Sequence, residues 1–204
     1  MTVLPSRWLL LAALCAATPA LFADNAGPDA AAAMQRSFEA KKQAGMDRLL
    51  QDEVQALCTR YTTATLPPAD GAKIQQASLA TVKPPADGQY LGDYKAGEKI
   101  AQTGTGLQSS DDPTKPNGGN CYACHQLAAS ELAYGTLGPS LQHYGKLRGQ
   151  SPAALEAAWR KLYNAQADVP CSNMPRFGHQ KILTEQQLKD LMAFLFDPAS
   201  PVNQ

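Results

Sequence analysis

The sequence predicts an all-α fold, and three observations lead to that prediction. The alternation of apolar and polar residues that is typical of strands is nearly absent. Apolar residues recur instead at helical spacing in several segments. Two of those segments begin with helix-capping residues, Ser151 followed by Pro152, and Thr184 with Gln187 three positions later.

The first predicted helix lies in residues 24–62, a segment rich in Ala, Gln and charged residues. Its apolar residues share one helical face: Met46, Leu49, Leu50, Val54, Leu57 and Tyr61. The pentapeptide PPADG follows twice, at 67–71 and at 84–88. Proline presets φ and Asp-Gly closes a turn, so both copies are predicted to be turns.

Three further helices are predicted after residue 90. The segment DYKAGEKIAQTG, 93–104, predicts a short helix ended by Gly104. The helix that begins after Ser151 has an apolar face of Leu155, Trp159 and Leu162. The last helix begins at Thr184 and is stopped by Pro198, and its apolar stripe consists of Leu188, Leu191, Met192 and Leu195.

The N-terminus predicts export to the periplasm. Arg7 precedes a short apolar run and small residues follow, so residues 1–23 are predicted to be a signal peptide cleaved near Ala23. A lipoprotein with Cys15 as the anchored residue is the weaker alternative, because Leu14 stands where a small residue is expected. No stretch is long and apolar enough to predict a membrane span.

Removal of residues 1–23 leaves 181 residues, which predict an N-terminal helical extension with Pro/Gly turns over 24–89 and a main domain over 90–204. The whole chain has 18 basic and 18 acidic residues, and Arg7 is the one charge in the signal peptide, so the mature net charge is −1. This balance predicts neither a nucleic acid nor an anionic membrane as a partner.

Residues 121–125, CYACH, have the C-x-x-C-H pattern of c-type haem attachment. Cys121 and Cys124 are predicted to form thioethers to a haem, and His125 then lies where its imidazole coordinates the iron. A thioredoxin-like dithiol is the alternative for C-x-x-C, but no βαβ pattern surrounds it. The predicted cofactor is one covalently attached haem c.

Two cysteines remain after the haem pair and the signal peptide are removed, Cys58 and Cys171. An unpaired thiol is uncommon in an exported protein, so a disulfide between them is predicted. The alternative is that one of them is a metal ligand or a reactive thiol.

Met174 is predicted to be the second axial ligand of the iron. It lies in a loop, CSNMPRFG, and is followed by the stiffening Pro175, whereas Met46 and Met192 lie on apolar helical faces that are typical of core residues. His179 is the alternative, and it would give the iron a lower potential. His143 is interpreted as a surface or loop histidine.

The loop GTLGPSL, 135–141, is predicted to hold the proximal histidine, and an ordinary turn is the alternative for the same residues. Metal-bound histidines usually donate their second ring N–H to an acceptor, and the carbonyl of Pro139 is the candidate here. Leu141 is expected to pack on the ring. Arg176 is a candidate partner for a haem propionate, or else an exposed arginine. Aromatic residues expected around the macrocycle are Tyr134, Tyr144, Trp159 and Phe177.

Four segments together resemble one family. GNCYACH, GTLGPSLQHYGKLRG, NMPRFG and LTEQQLKDLMAFLFDPASPVN follow in order over about residues 90–204. Their combination is similar to the SoxX subunits of the periplasmic sulfur-oxidation system, which are class I cytochromes c. The long N-terminal region resembles the extended version found in some members.

The resemblance implies a heterodimer with a second c-type cytochrome of the SoxA type. Such a complex oxidatively joins thiosulfate to a cysteine of a SoxYZ-type carrier protein, as an L-cysteine S-thiosulfotransferase. The catalytic haem is then expected on SoxA, and the SoxX haem, with His125 and Met174 as ligands, passes electrons to a downstream cytochrome c. A free-standing periplasmic electron-shuttle cytochrome is the alternative function.

Overall fold

The computed structural model describes residues 26–204, with side chains from residue 30 onwards. The predicted signal peptide, Ala23 and Cys15 lie outside the described residues. The described chain divides after Ser37 into two compact units. Helix α1 (Ala26–Ser37) forms the described part of the first unit, and the hydroxyl of Ser37 donates to the carbonyl oxygen of Ala33 at its end.

Residues 38–204 form the second unit, which contains six α-helices in the described chain. They are α2 (Glu53–Thr59), α3 (Pro68–Leu79), α4 (Tyr94–Gln102), α5 (Tyr144–Arg148), α6 (Pro152–Tyr163) and α7 (Glu185–Phe196). Short 3-10 turns lie at 46–49, 121–123, 165–167 and 201–203. In the part that the structure describes, extended pairing is limited to an isolated bridge between Lys41 and Ala44, so the predicted all-α class is confirmed.

The capping residues form the bonds that the sequence predicts. The hydroxyl of Ser151 accepts a hydrogen bond from the backbone N–H of Ala154, with Pro152 in the first turn of α6. Thr184 and Gln187 form a reciprocal capping box at the start of α7. Each cap satisfies backbone donors that the first turn of a helix leaves without partners. No helix of residues 26–204 is long and apolar enough to cross a membrane.

The core forms where α4 and α6 pack against α7. Gly97 allows the close crossing of α4 and α7, because a Cβ built at that position would overlap the backbone carbonyl of Asp190 and the Cβ of Phe194. The buried face of α7 contains the predicted stripe and also Phe194 and Phe196. Met192 in that stripe is fully buried, as the sequence predicts.

The predicted amphipathic helix from Met46 to Tyr61 is wrong. The chain forms a 3-10 turn over 46–49, runs extended at Leu50, and restarts as α2 after Asp52. Asp52 caps α2 through a capping box with Gln55, and this cap is possible only if the helix begins there. Met46 and Leu50 are 42% and 70% exposed, so neither is the core residue that the shared helical face predicts.

The two PPADG copies have different structures. The second copy is a turn, as predicted: the N–H of Gly88 donates to Pro85, and Gly88 has a φ of 71°. The first copy opens a helix, because Pro68 occupies the first turn of α3, where a missing N–H costs nothing. The prediction of a turn at 67–71 is therefore wrong.

The chain before residue 90 is not a separate extension in the second unit. Ile74 of α3 is fully buried, and the indole N–H of Trp159 in α6 donates to the carbonyl of Lys83 over 2.7 Å. Lys189 of α7 pairs with Asp87 over 2.6 Å. Residues 38–89 thus belong to the same compact unit as residues 90–204.

Candidate functional site

The C-x-x-C-H motif forms a tight turn at the edge of the core. Residues 121–123 are one 3-10 turn, and the carbonyl of Cys121 accepts from the backbone N–H groups of both Cys124 and His125. The two thiols are free and half-buried. Burial raises the pKa of the Cys121 thiol to about 12, so it stays neutral at physiological pH. Neither thiol is engaged in a disulfide, so both remain available for thioether bonds.

The ring of His125 is fixed by the loop that follows the motif. The ring Nδ1 lies 2.7 Å from the carbonyl oxygen of Pro139, as the sequence predicts. A carbonyl oxygen has no proton, so Nδ1 is the donor and Nε2 keeps its lone pair for a metal. Gly138 lies directly against the imidazole, since a Cβ at that position would overlap the ring atoms.

Backbone hydrogen bonds attach this loop to the motif along its length. The N–H groups of Gly135, Gly138 and Leu141 donate to the carbonyls of Tyr122, Cys124 and Gln126, each over 2.8 Å. The loop is therefore bonded to every second residue from 122 to 126 and cannot shift without breaking three hydrogen bonds. Leu141 packs against the core cluster, and its expected contact with the histidine ring stays a prediction.

Met174 lies half-buried in the loop between α6 and α7. Like Cys121 and Leu141, it packs against the edge of the core cluster. Its backbone N–H donates to the hydroxyl of Ser172 over 3.2 Å. The other methionines of the described chain are placed differently, because Met192 is enclosed in the core while Met34 and Met46 are exposed.

The other two histidines of the described chain, His143 and His179, occupy half-buried loop positions. His179 lies near Arg176, and burial together with that guanidinium lowers its pKa below the ordinary 6.5. His143 has a left-handed backbone with a φ of 56°, and its N–H donates to the carbonyl of Val202. His143 is thus a loop residue that starts α5, as interpreted from the sequence.

The donor set fits a covalently attached haem. Two free thiols, an imidazole with its tautomer fixed and a thioether that borders the same apolar core are the groups that a c-type haem requires. Most of the aromatic residues expected near the macrocycle also have core partners. Trp159 packs edge-on against Tyr90, Tyr144 packs against Phe196, and Phe177 is buried, whereas Tyr134 is exposed.

Arg176 has a partner that the sequence did not predict. The side chain is buried and its guanidinium lies 2.7 Å from the carboxylate of Asp52, the residue that caps α2. The guanidinium that the sequence offered as a partner for a haem propionate is therefore already paired with a carboxylate of this chain. The structure also joins Cys58 and Cys171 in a disulfide, with their Cα atoms 5.4 Å apart.

The environment of Asp52 predicts loss of stability in acid. Partial burial by itself raises the pKa of Asp52, but the N–H of Gln55 and the Arg176 guanidinium outweigh it, and the net pKa lies below 3.8. A lowered folded-state pKa contributes stability above the unfolded pKa that is lost as the pH falls through the folded one. We expect Asp52→Asn to lose less unfolding free energy than the wild type between about pH 5 and about pH 3.

Urea unfolding at both pH values measures this difference, and Asn is suited to the comparison because it still caps a helix. The same loss in the variant and in the wild type would contradict the assignment of the acid sensitivity to Asp52.

The model of the Cytochrome c family matches residues 94–197, the stretch that holds the motif, the Pro139 loop and Met174. The chain belongs to the cytochrome c family. This cytochrome is also similar to an uncharacterized lipoprotein of Aquifex aeolicus (strain VF5), with 36% identity over 157 residues that cover 76% of this chain and 73% of that protein. Membership implies a covalently bound haem c, and it confirms the predicted class of fold.

Proposed function

We propose that this cytochrome c is a one-electron carrier that holds one haem c through Cys121 and Cys124, with His125 and Met174 as axial ligands. The observation that supports it best is the bond from His125 Nδ1 to the carbonyl of Pro139, which makes Nδ1 the donor and leaves the lone pair of Nε2 for the iron. When bound, the haem supplies a one-electron redox couple. Met174 as a thioether ligand favours the reduced form and raises the potential.

Occupied axial positions decide what kind of chemistry the site supports. With both His125 and Met174 as ligands, the iron would have no open coordination position for a substrate. The chain therefore serves to accept and release electrons, and a reaction on a sulfur compound takes place on another subunit. The residues of this chain set the potential and exclude competing ligands.

For the biological role we propose the electron-accepting subunit of a complex that oxidatively conjugates thiosulfate to a cysteine of a SoxYZ-type carrier protein. The support is the resemblance of residues 90–204 to SoxX subunits, in particular YGKLRG and the DPASPVN ending. The partner would be a SoxA-type cytochrome that holds the catalytic haem of an L-cysteine S-thiosulfotransferase. A downstream cytochrome c would receive the electrons.

A free-standing electron shuttle is the second candidate, and one observation favours it. A long N-terminal region with an apolar face can pack either on its own domain or on a permanent partner. Residues 52–90 pack on their own unit, through buried Ile74 and the bond from Trp159 to Lys83. These residues already pack within their own unit, so their presence adds no support for a heterodimer.

We propose a periplasmic location with the signal peptide cleaved near Ala23. The relative from Aquifex aeolicus has the name lipoprotein, which keeps anchoring at Cys15 as the alternative. The two differ in the mature N-terminus, which is residue 24 in the first case and a diacylated Cys15 in the second. The intact mass of the mature protein separates them.

The first experiment is gentle purification of the tagged chain from the periplasm and membranes of its native host, followed by mass and haem analysis. We expect a stoichiometric second c-type cytochrome, and electron uptake by the complex when thiosulfate and a SoxYZ-type carrier are both present. A monohaem protein that is isolated alone and is reduced without a partner would support the shuttle instead.

A further inference from the structure

The loop that carries Met174 is held from outside by an earlier segment of the chain. We define the ligand loop as residues 168–178 and the brace as residues 52–83. Apart from the disulfide and the ion pair between Asp52 and Arg176, the brace forms hydrogen bonds with the ligand loop and with the turn before it, and two of them have a length of 3.0 Å. Gln75 donates to the carbonyl of Asp168 over 3.0 Å, and Asn164 donates to the hydroxyl of Thr81 over the same distance.

The two strongest attachments flank Met174. Cys171, three residues before it, is covalently joined to Cys58 of α2. Arg176, two residues after it, is paired with Asp52 at the start of the same helix. One short helix therefore fixes the ligand loop on both sides of the methionine.

The part of the ligand loop around Met174 has few backbone hydrogen bonds of its own. Cys171 has a φ of 58°, a left-handed conformation that L residues other than Asn and Asp rarely adopt. Between Cys171 and Arg176 the structure has one hydrogen bond to the backbone of Met174, from its N–H to the hydroxyl of Ser172. The shape of the loop thus depends on bonds made at its two ends.

We propose that the Cys58–Cys171 disulfide and the Asp52–Arg176 ion pair are a positioning device that keeps the Met174 thioether in place as an axial ligand. The proposal rests on the His125 and Met174 ligation proposed above. The proposal gives the brace a role within this chain. By holding Met174 in place, the brace would keep other ligands from the sixth coordination position of the iron.

A thioether needs this support because it is a neutral and weak ligand. An external ligand binds only to the fraction of molecules in which the methionine has left the iron, so its apparent affinity is the intrinsic affinity multiplied by that fraction. A loop that is free to move raises the fraction. The intrinsic affinity of the open iron for an added ligand does not depend on the brace. A change in the apparent affinity therefore measures a change in the fraction of molecules in which Met174 has left the iron.

The test uses the haem-loaded full chain and imidazole as the added ligand. We expect Cys58→Ser/Cys171→Ser, and to a smaller extent Asp52→Asn, to bind imidazole at the ferric iron more tightly. The expected change is about tenfold or more for the double variant. The sulfur-to-iron charge-transfer band in the near infrared is expected to weaken in parallel.

Asp87→Asn is the matched control. The Asp87–Lys189 pair also joins the chain before residue 90 to the rest of the unit, with a distance of 2.6 Å against 2.7 Å and a similarly buried cation. It contacts α7 and not the ligand loop. We expect its imidazole affinity to equal that of the wild type, so an increase in both aspartate variants would overturn the assignment to the ligand loop.

Chemical opening of the disulfide avoids variants that fail to mature. The haem-loaded wild type is reduced anaerobically with a water-soluble phosphine, the two thiols are alkylated with iodoacetamide, and the iron is reoxidised with ferricyanide. The thioethers of Cys121 and Cys124 survive this treatment. Tighter imidazole binding after alkylation supports the proposal, and an unchanged affinity in a sample with two alkyl groups by mass overturns it.

The outcomes also separate this proposal from the one on which it rests. A wild type without the near-infrared band, or a band that survives Met174→Ala, would reject Met174 as the ligand. A band that disappears in Met174→Ala but keeps its full strength after the disulfide is opened would retain the ligand and reject the positioning device.

Discussion

Replacement of Met174 by alanine is expected to abolish the near-infrared sulfur-to-iron charge-transfer band of the oxidised protein and to lower its midpoint potential. The thioether stabilises the reduced iron, and its loss leaves water or a nitrogen ligand in its place. We expect a drop that is a substantial part of the roughly 0.8 V range over which axial ligands set haem potentials. Absorption spectroscopy and a redox titration measure the two effects.

Met46→Ala is the control, because Met46 lies on the surface at 42% exposure and outside the ligand loop. We expect both its band and its potential to match those of the wild type. A band that persists in Met174→Ala would move the ligand elsewhere. His179→Ala would then be the next variant, since His179 is the half-buried histidine of the same region.

Replacement of two helical glycines by alanine is expected to change the unfolding free energy in opposite directions. Gly97→Ala should cost about 3 kcal/mol of unfolding free energy, because the new methyl group overlaps the carbonyl of Asp190 in α7 and the two helices must separate. Gly71→Ala should stabilise the protein by about 0.5–1 kcal/mol. A Cβ at Gly71 would have ordinary contacts, 3.6 Å to Leu66 and 3.7 Å to Pro170.

Both glycines are buried within helices, so helix propensity alone predicts the same gain at each. The opposite signs isolate the effect of the helix crossing. Chemical denaturation of both haem-loaded variants measures the difference. If Gly97→Ala were as stable as Gly71→Ala, the close packing of α4 on α7 would not be the reason that position 97 holds a glycine.

The sequence predicts the structure well wherever the signal is local. The caps at Ser151 and Thr184 and the buried stripe of α7 depend on residues a few positions apart, and the bond from His125 to Pro139 joins residues 14 positions apart. The two PPADG copies show the limit of such reasoning. Identical residues open α3 in one place and form a turn in the other, because the residues that follow, AKIQQASL in the first case and QYLGDY in the second, differ in helix-forming capacity.

The contacts that support the candidate site from outside are harder to foresee. Asp52 and Arg176 are far apart in the chain, and nothing in either local sequence indicates the pairing. The periodicity of residues 46–61 also predicted one continuous helix, whereas the cap at Asp52 interrupts it. Only the count of cysteines predicted a connection between these two regions, because it left Cys58 and Cys171 without other partners.

The connectivity of the cysteines has a consequence for biogenesis. A chain exported with its N-terminus first presents Cys58, Cys121, Cys124 and Cys171 to the oxidising compartment in that order. Oxidation of neighbours in order of arrival would join Cys58 to Cys121, whereas the native bond spans 113 residues and passes over both haem-binding thiols. In an oxidising compartment, correct pairing would therefore need either a disulfide isomerase or protection of Cys121 and Cys124, by the haem or by a bond to each other, before Cys58 is oxidised.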